Sequence, residues 1–120
     1  MAFKFEKLEV WRLSIDFAHE MILLVNRFPN EYRYSLSDQI RRAAISIPTN
    51  IAEGTGRETP KNQVNFYRIA KGSAYEVVSL LVLAKKCGLI EQASYQKHYN
   101  IANKIAAMLN GLIKTNQVTA

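Results

Sequence analysis

Apolar residues recur at alternating spacings of three and four along most of the chain, and no segment sustains the two-residue alternation of a strand. The pattern predicts four helices. The first spans about 8–27 and stops at Phe28-Pro29-Asn30, where Pro29 disfavours helix in the residue before it. The second spans 35–54, opening on a Ser35/Asp38 pair spaced like a capping box and closing on Gly54-Thr55-Gly56. The third spans 60–87, with Thr59 as N-cap and Pro60 at the first helical position. It stops at Lys85-Lys86-Cys87-Gly88, where cations favour the negative helix end. The fourth spans 92–114, and the tail TNQVTA is expected to fray. Connections this short make neighbouring helices antiparallel, so the predicted class is all-α: an up-and-down four-helix bundle, one domain over residues 1–120.

The first helix carries two apolar stripes. Leu8, Trp11, Ile15, Ala18, Ile22 and Val25 form a seam of the kind that faces a bundle core. Val10, Leu13, Phe17, Met21, Leu24 and Phe28 form a second, centred roughly 125° away at about 100° per residue. A surface helix needs one stripe, and an exposed second one makes a patch that soluble monomers rarely tolerate. The second series is therefore the predicted oligomer interface. The alternative is a compact monomer in which this helix is central.

The remaining helices have core series of their own: Leu36, Ile40, Ala43, Ile47 and Ile51; then Phe66, Ala70, Ser73, Val77, Leu80 and Ala84; then Ile101, Ile105, Met108 and Leu112, with Ala102 and Leu109 alongside. Pro48 inside the second helix removes a backbone donor and predicts a kink, with the Ser46 and Thr49 hydroxyls available to freed carbonyls. The kink either shapes a groove or bends the helix round its neighbours. Arg42 and Glu53 lie about 16 Å apart along this helix and are expected to find partners on another helix or subunit. Gly72, with Ser73 and Ala74, makes a small-residue patch that another helix could approach.

At 48% hydrophobic and 22% charged residues the composition is that of a globular domain. A single cysteine, Cys87, excludes an internal disulfide, and its expected role is packing at a helix end. The charged N-terminus lacks a signal peptide's apolar core and no apolar run approaches the roughly 20 residues of a membrane span, so cytoplasm is the expected location, with no membrane partner. The net charge of +6 is uneven: four basic and four acidic residues over 1–30, nine and five over 31–90, three and one over 91–120. That excess is compatible with a polyanionic partner. His19 and His98 stand on different helices without HExxH or CxxC spacing, and His19 is expected to be solvated. Gly54 and Gly56 follow a helix instead of preceding one, so they form no phosphate loop. No catalytic, cofactor or metal residue is predicted, and the chain is read as non-enzymatic.

The stretch from Gln39 to Gly54, QIRRAAISIPTNIAEG, followed by Arg57, resembles the signature of the four-helix proteins encoded in intervening sequences of 23S ribosomal RNA genes. Phe5 to Trp11 matches the opening of that family, Phe28-Pro29 its first turn, and Phe66, Ile69-Ala70, Gly72-Ser73 and Glu76 its third helix. The likeness covers about residues 3–113, and Arg42, Pro48, Asn50, Glu53, Gly54 and Gly72 stand out as its structural motif. Lys71 and Tyr75 depart from it, standing where apolar or small residues are common. The resemblance implies a ring-like homopentamer, and the family is similar to the accessory variability protein of diversity-generating retroelements, a basic pentamer that binds nucleic acid and reverse transcriptase.

Two functions follow as expectations. The first is a non-enzymatic oligomeric scaffold that meets RNA or DNA phosphates through Arg33, Arg41, Arg57, Lys61, Arg68, Lys71, Lys85 and Lys86. Tyr67 and Tyr75 either stack on bases or pack between helices. The second is a protein–protein adaptor that docks a partner such as a reverse transcriptase without touching nucleic acid.

Overall fold

The third helix starts on a threonine and a proline and ends on a glycine, each for a local reason. Thr59 is extended, and its hydroxyl accepts the Asn62 amide at 3.2 Å while Pro60 occupies the first turn, where no donor is needed. At the other end Gly88 takes φ +77°, which lets its own N–H reach the Lys85 carbonyl and the Leu89 N–H reach Ala84. That pair of bonds is a Schellman stop. The computed structural model describes residues 2–119, which hold α1 (Glu9–Val25), α2 (Leu36–Thr55), α3 (Pro60–Lys86), α4 (Gln92–Thr119) and short 3-10 turns at Lys4–Lys7 and Asn30–Tyr32, with no strand among them. α4 runs past the expected end at residue 114. Hydroxyl and amide groups of Thr115 and Asn116 bond back to the Gly111 and Leu112 carbonyls.

The bundle measures 46 × 23 × 22 Å, as long as its longest helices and two helices deep each way. α1 packs on α2, α2 on α3, α3 on α4 and α4 loosely on α1, while neither diagonal pair brings Cα atoms within 8 Å among the described residues. The outer faces of α1/α2 and of α3/α4 thus lie on opposite sides.

The core reverses one expectation. Val10, Phe17, Met21 and Phe28, assigned above to an oligomer interface, are buried within their own subunit, with Leu13 and Leu24 packed against them. Phe17 is 1% exposed and Met21 fully buried. The other stripe faces out in part: Ile15 is 40% exposed, and Trp11 and Ile22 are half-buried. Periodicity gave both stripes equal claim; α1 turned its bulkier pair inward. The α2 series is buried throughout. In α3, Ala70, Ser73, Val77 and Ala84 are buried as expected, with Tyr67, Ala74 and Leu81 buried where Phe66 and Leu80 are half-buried. In α4, Ala102, Ile105 and Leu109 are buried together with Ile113, while Ile101, Met108 and Leu112 are half-buried.

The polar motif residues of α2 pair locally. α2 continues unbroken through the buried Pro48. Thr49 Oγ1 donates to the Ile45 carbonyl at 2.9 Å, whereas Ser46 turns the other way, its hydroxyl oxygen accepting from Asn50 Nδ2 at 2.9 Å and from Ser73 Oγ of α3 at 2.8 Å. Arg42 pairs with Asp38 at 3.0 Å and Glu53 with Arg57 at 3.7 Å, both one turn along the chain, so neither reaches a distant helix as expected. Ser35 caps nothing with its side chain, which donates weakly to the Tyr32 carbonyl. Gly72 is exposed, with no neighbour within 4 Å of the position its Cβ would take, so within this subunit the small-residue patch is used at the buried Ser73 and Ala74 and not at Gly72. Cys87, expected to pack, is exposed.

Gly54 is where a glycine is needed. A Cβ there would meet Tyr67 Cε1 at 2.6 Å and Phe66 Cβ at 3.2 Å. The ring cannot yield because Tyr67 is itself buried. Crowding of this kind costs about 1–3 kcal/mol, against a gain of about 1 kcal/mol in helix propensity. Gly54→Ala is therefore expected to lower the urea-unfolding free energy by about 1 kcal/mol, and Gly54→Val by more, with secondary structure unchanged by circular dichroism.

Candidate functional site

Basic charge concentrates on α3 and α4, while exposed large apolar residues occur on both halves of the bundle. α3 and α4 together carry eight cationic side chains and one acidic, α1 and α2 three and five. On α3, Lys61, Arg68 and Lys86 are exposed, with Lys71 and Lys85 half-buried and Lys85 reaching Gln92 of α4. α4 adds exposed Lys97, Lys104 and Lys114, of which Lys97 lies toward α1 with its Nζ 3.6 Å from Glu20, and no acidic residue occurs in that helix. Lys61 and Arg68 line a shallow cavity of about 280 Å³ with Asn65, Asn116 and Gln117. The other predicted cations lie elsewhere. Arg33 and Arg41 flank a polar depression at the α1–α2 corner with Asn26, Asn30 and Ser37, where Arg41 is 3.4 Å from Asp38. Arg57 sits at the α2–α3 corner over the Phe66 ring, 4.5 Å from its centroid. The predicted set thus falls in three places, not one patch, and it lacks the α4 lysines.

Aromatic residues divide in the same way. Tyr67 is core, and burial raises its hydroxyl pKa above the ordinary tyrosine value. Tyr75 stands out from α3 with Lys71 Nζ 5.7 Å from its ring centroid. It faces Tyr99 of α4 across a trough of about 240 Å³. Tyr95 and Tyr99 have ring centroids 6.0 Å apart, and Lys85 Nζ lies 4.4 Å from the Tyr95 centroid while donating to Gln92 at 2.8 Å. Tyr95, Tyr99 and Asn103 recur every four residues, so one helix face was readable from spacing alone.

The opposite side has an apolar trough of about 550 Å³ between α1 and α2. Phe5, Trp11, Ile15, Ile22, Ile45 and Pro48 line it, with His19, Thr49 and Glu53 at its polar edge. The Lys4–Lys7 turn delivers Phe5 to Trp11, ring centroids 4.8 Å apart, and Glu6 holds that turn by accepting the Phe3 amide.

His98 was not singled out from the sequence, since nothing in its spacing marks it. It is 6% exposed on α4, edge-on to Phe17, and its buried Nδ1 has no hydrogen-bond partner among the described residues. Glu20 Oε2 is 3.6 Å away, too far for a hydrogen bond, and Lys97 Nζ lies 3.6 Å from the same oxygen. Burial lowers the His98 pKa below 6.5; Glu20 opposes that shift and Lys97 adds to it. As pH falls through 6.5 the unfolded chain therefore takes up a proton that the folded chain resists, and stability is lost toward the folded pKa. Urea midpoints are expected to drop between pH 7 and roughly 5.5, above the ordinary carboxylate range, and His98→Leu should flatten that part of the profile.

Among the described residues no cluster of three or more histidine, cysteine or acidic side chains could hold a metal ion, and no helix is long and apolar enough to cross a membrane. Comparison with curated proteins found no match. Among solved structures, a protein of unknown function from the S23 ribosomal protein family of Bacteroides thetaiotaomicron VPI-5482 superposes with a TM-score of 0.82 at 28% identity, over 88% of this chain and 98% of the other. The family model described as 23S rRNA-intervening sequence protein matches residues 6–111, nearly the whole chain, and includes the QIRRAAISIPTNIAEG block. The chain belongs to the 23S rRNA-intervening sequence protein family.

Proposed function

We propose that this chain is a non-enzymatic subunit of a ring-like homo-oligomer that turns its α1/α2 trough toward neighbouring copies and its α3/α4 surface toward RNA or DNA phosphates. Segregation of charge carries the reading: eight cations to one acid on one side, three to five on the other. Self-association is assigned to the side without a cationic excess because burying cations against cations costs energy, while burying Trp11, Ile15 and Ile22 gains it. The four helices run antiparallel to their neighbours in this reading. Connections of only four residues (56–59) and five (87–91) support that order between helices of 20, 27 and 28 residues. A ring of five copies is the assembly implied by the family resemblance, and the cytoplasm is its expected location.

The test is the salt dependence of binding to a labelled structured RNA. Each contacted phosphate of a single strand contributes about −0.7 to the slope of log affinity against log salt. A linear fall is expected, made shallower by Lys61→Glu with Arg68→Glu while the mass of the assembly stays the same. Absence of binding at about 50 mM salt contradicts the reading. That result would favour a protein adaptor, docking a partner such as a reverse transcriptase, for which the exposed Ile69, Val82 and Leu83 of α3 supply apolar contacts.

A further inference from the structure

The trough between α3 and α4 has walls that its own subunit does not need. Tyr75 is 62% exposed and Tyr99 39%, so both rings present faces to solvent and contribute little to the core. The floor is made of small residues: Ala74 and Ala102 are buried, Val78 is half-buried, and Ala106 follows one turn after Ala102 on α4. Any longer side chain at these positions would fill the space between the two rings. Its volume of about 240 Å³ is smaller than the roughly 300–1,000 Å³ of sites that take a whole drug-sized molecule, and suits one planar ring system. Asn103 stands at the edge, where its amide offers both a donor and an acceptor.

Cations flank the aromatic walls. Lys71 lies over Tyr75 at one side, and Lys85 over Tyr95, which neighbours Tyr99, at the other. Lysines set along a strip of open tyrosines match a chain of phosphates that carries flat bases. An acidic peptide would satisfy the lysines but leave the tyrosine faces unstacked. A duplex keeps its bases stacked on one another, out of reach of a side-chain ring.

We propose that the Tyr75–Tyr99 trough is a slot for an unpaired nucleobase of single-stranded nucleic acid, with Lys71 and Lys85 taking the flanking phosphates. This inference rests on the nucleic-acid reading above and assigns that surface a strand class and a base contact. The bases are held by stacking, so the slot tolerates any sequence.

The experiment compares an oligouridine of about 12 nucleotides, within the range one such site covers, with an abasic strand of equal length, by fluorescence anisotropy across a salt series. The base-bearing strand is expected to bind about 5- to 100-fold more tightly, the ratio that stacking of one base supplies. Tyr75→Leu should erase that ratio while leaving the abasic affinity and the salt slope unchanged, and Tyr75→Phe should keep it. Ala106→Leu, which fills the trough without removing an aromatic ring, should erase it as well. Equal binding of the two strands by the unaltered chain overturns the slot but leaves the phosphate surface standing. Failure of both strands to bind at about 50 mM salt overturns the slot and the broader reading together. Tyr75-dependent binding of an oligoglutamate peptide of the same length reassigns the trough to an acidic protein segment and overturns it too.

Discussion

Replacing Phe17 with alanine is expected to destabilise the isolated subunit by about 3–5 kcal/mol, enough to unfold a domain whose total stability is on the order of 5–15 kcal/mol at moderate urea. The ring is 1% exposed and packs beside Met21 and the edge of His98. Truncation removes its transfer free energy and leaves a cavity that helices on both sides cannot close. Urea unfolding followed by circular dichroism, at a concentration where the assembly state is held fixed, reads the change. The magnitude separates two assignments of α1. A Phe17 in the subunit core costs folding stability directly. A Phe17 between copies would leave the subunit folded and only weaken the assembly, so a loss below about 1 kcal/mol contradicts the core assignment.

Placing a glutamate at Ile15 and another at Ile22 is expected to have the opposite signature. Both line the α1/α2 trough, and Ile15 is 40% exposed in the single subunit, so neither change leaves a hole in the core. A carboxylate forced into an apolar contact between copies loses its hydration without gaining a partner, at a cost of several kcal/mol per copy. In a ring that penalty recurs at every contact. Ile15→Glu with Ile22→Glu should convert the assembly to single subunits in sedimentation velocity, while the helical signal and the urea midpoint of the subunit change little. A variant that stays assembled excludes this trough as the contact.

The helices were readable because their boundaries rest on local chemistry. Thr59-Pro60, Phe28-Pro29 and Lys86-Cys87-Gly88 act through backbone donors and dihedral angles that neighbours in the chain decide. The direction in which α1 faces was not, because Leu8-Trp11-Ile15 and Val10-Leu13-Phe17 have the same spacing and both are apolar. Only the volumes of the facing helices choose between them, and those depend on all four elements at once. The candidate site divides along the same line. A basic excess beyond the first helix is visible in a count of charges, so Lys61, Arg68, Lys71 and Lys85 were within reach. That Arg33 and Arg41 lie at a separate corner, and that Tyr67 points inward while Tyr75 points outward, requires the rotation of each helix about its axis. Tyr67 and Tyr75 are eight residues apart, just over two turns, and the excess over two turns is enough to carry one from core to solvent. His98 illustrates the limit most plainly. Its buried nitrogen gains meaning only from Glu20 and Lys97, which α1 and α4 bring together.

Light scattering on the intact protein after size exclusion, at micromolar concentration and physiological salt, goes to the heart of the account. A mass several times that of the 13.7 kDa subunit, and fivefold for the ring implied by the family, is the predicted result. A particle of 13.7 kDa would mean that Trp11, Ile15 and Ile22 tolerate water unaided, and would contradict assembly through α1 and α2.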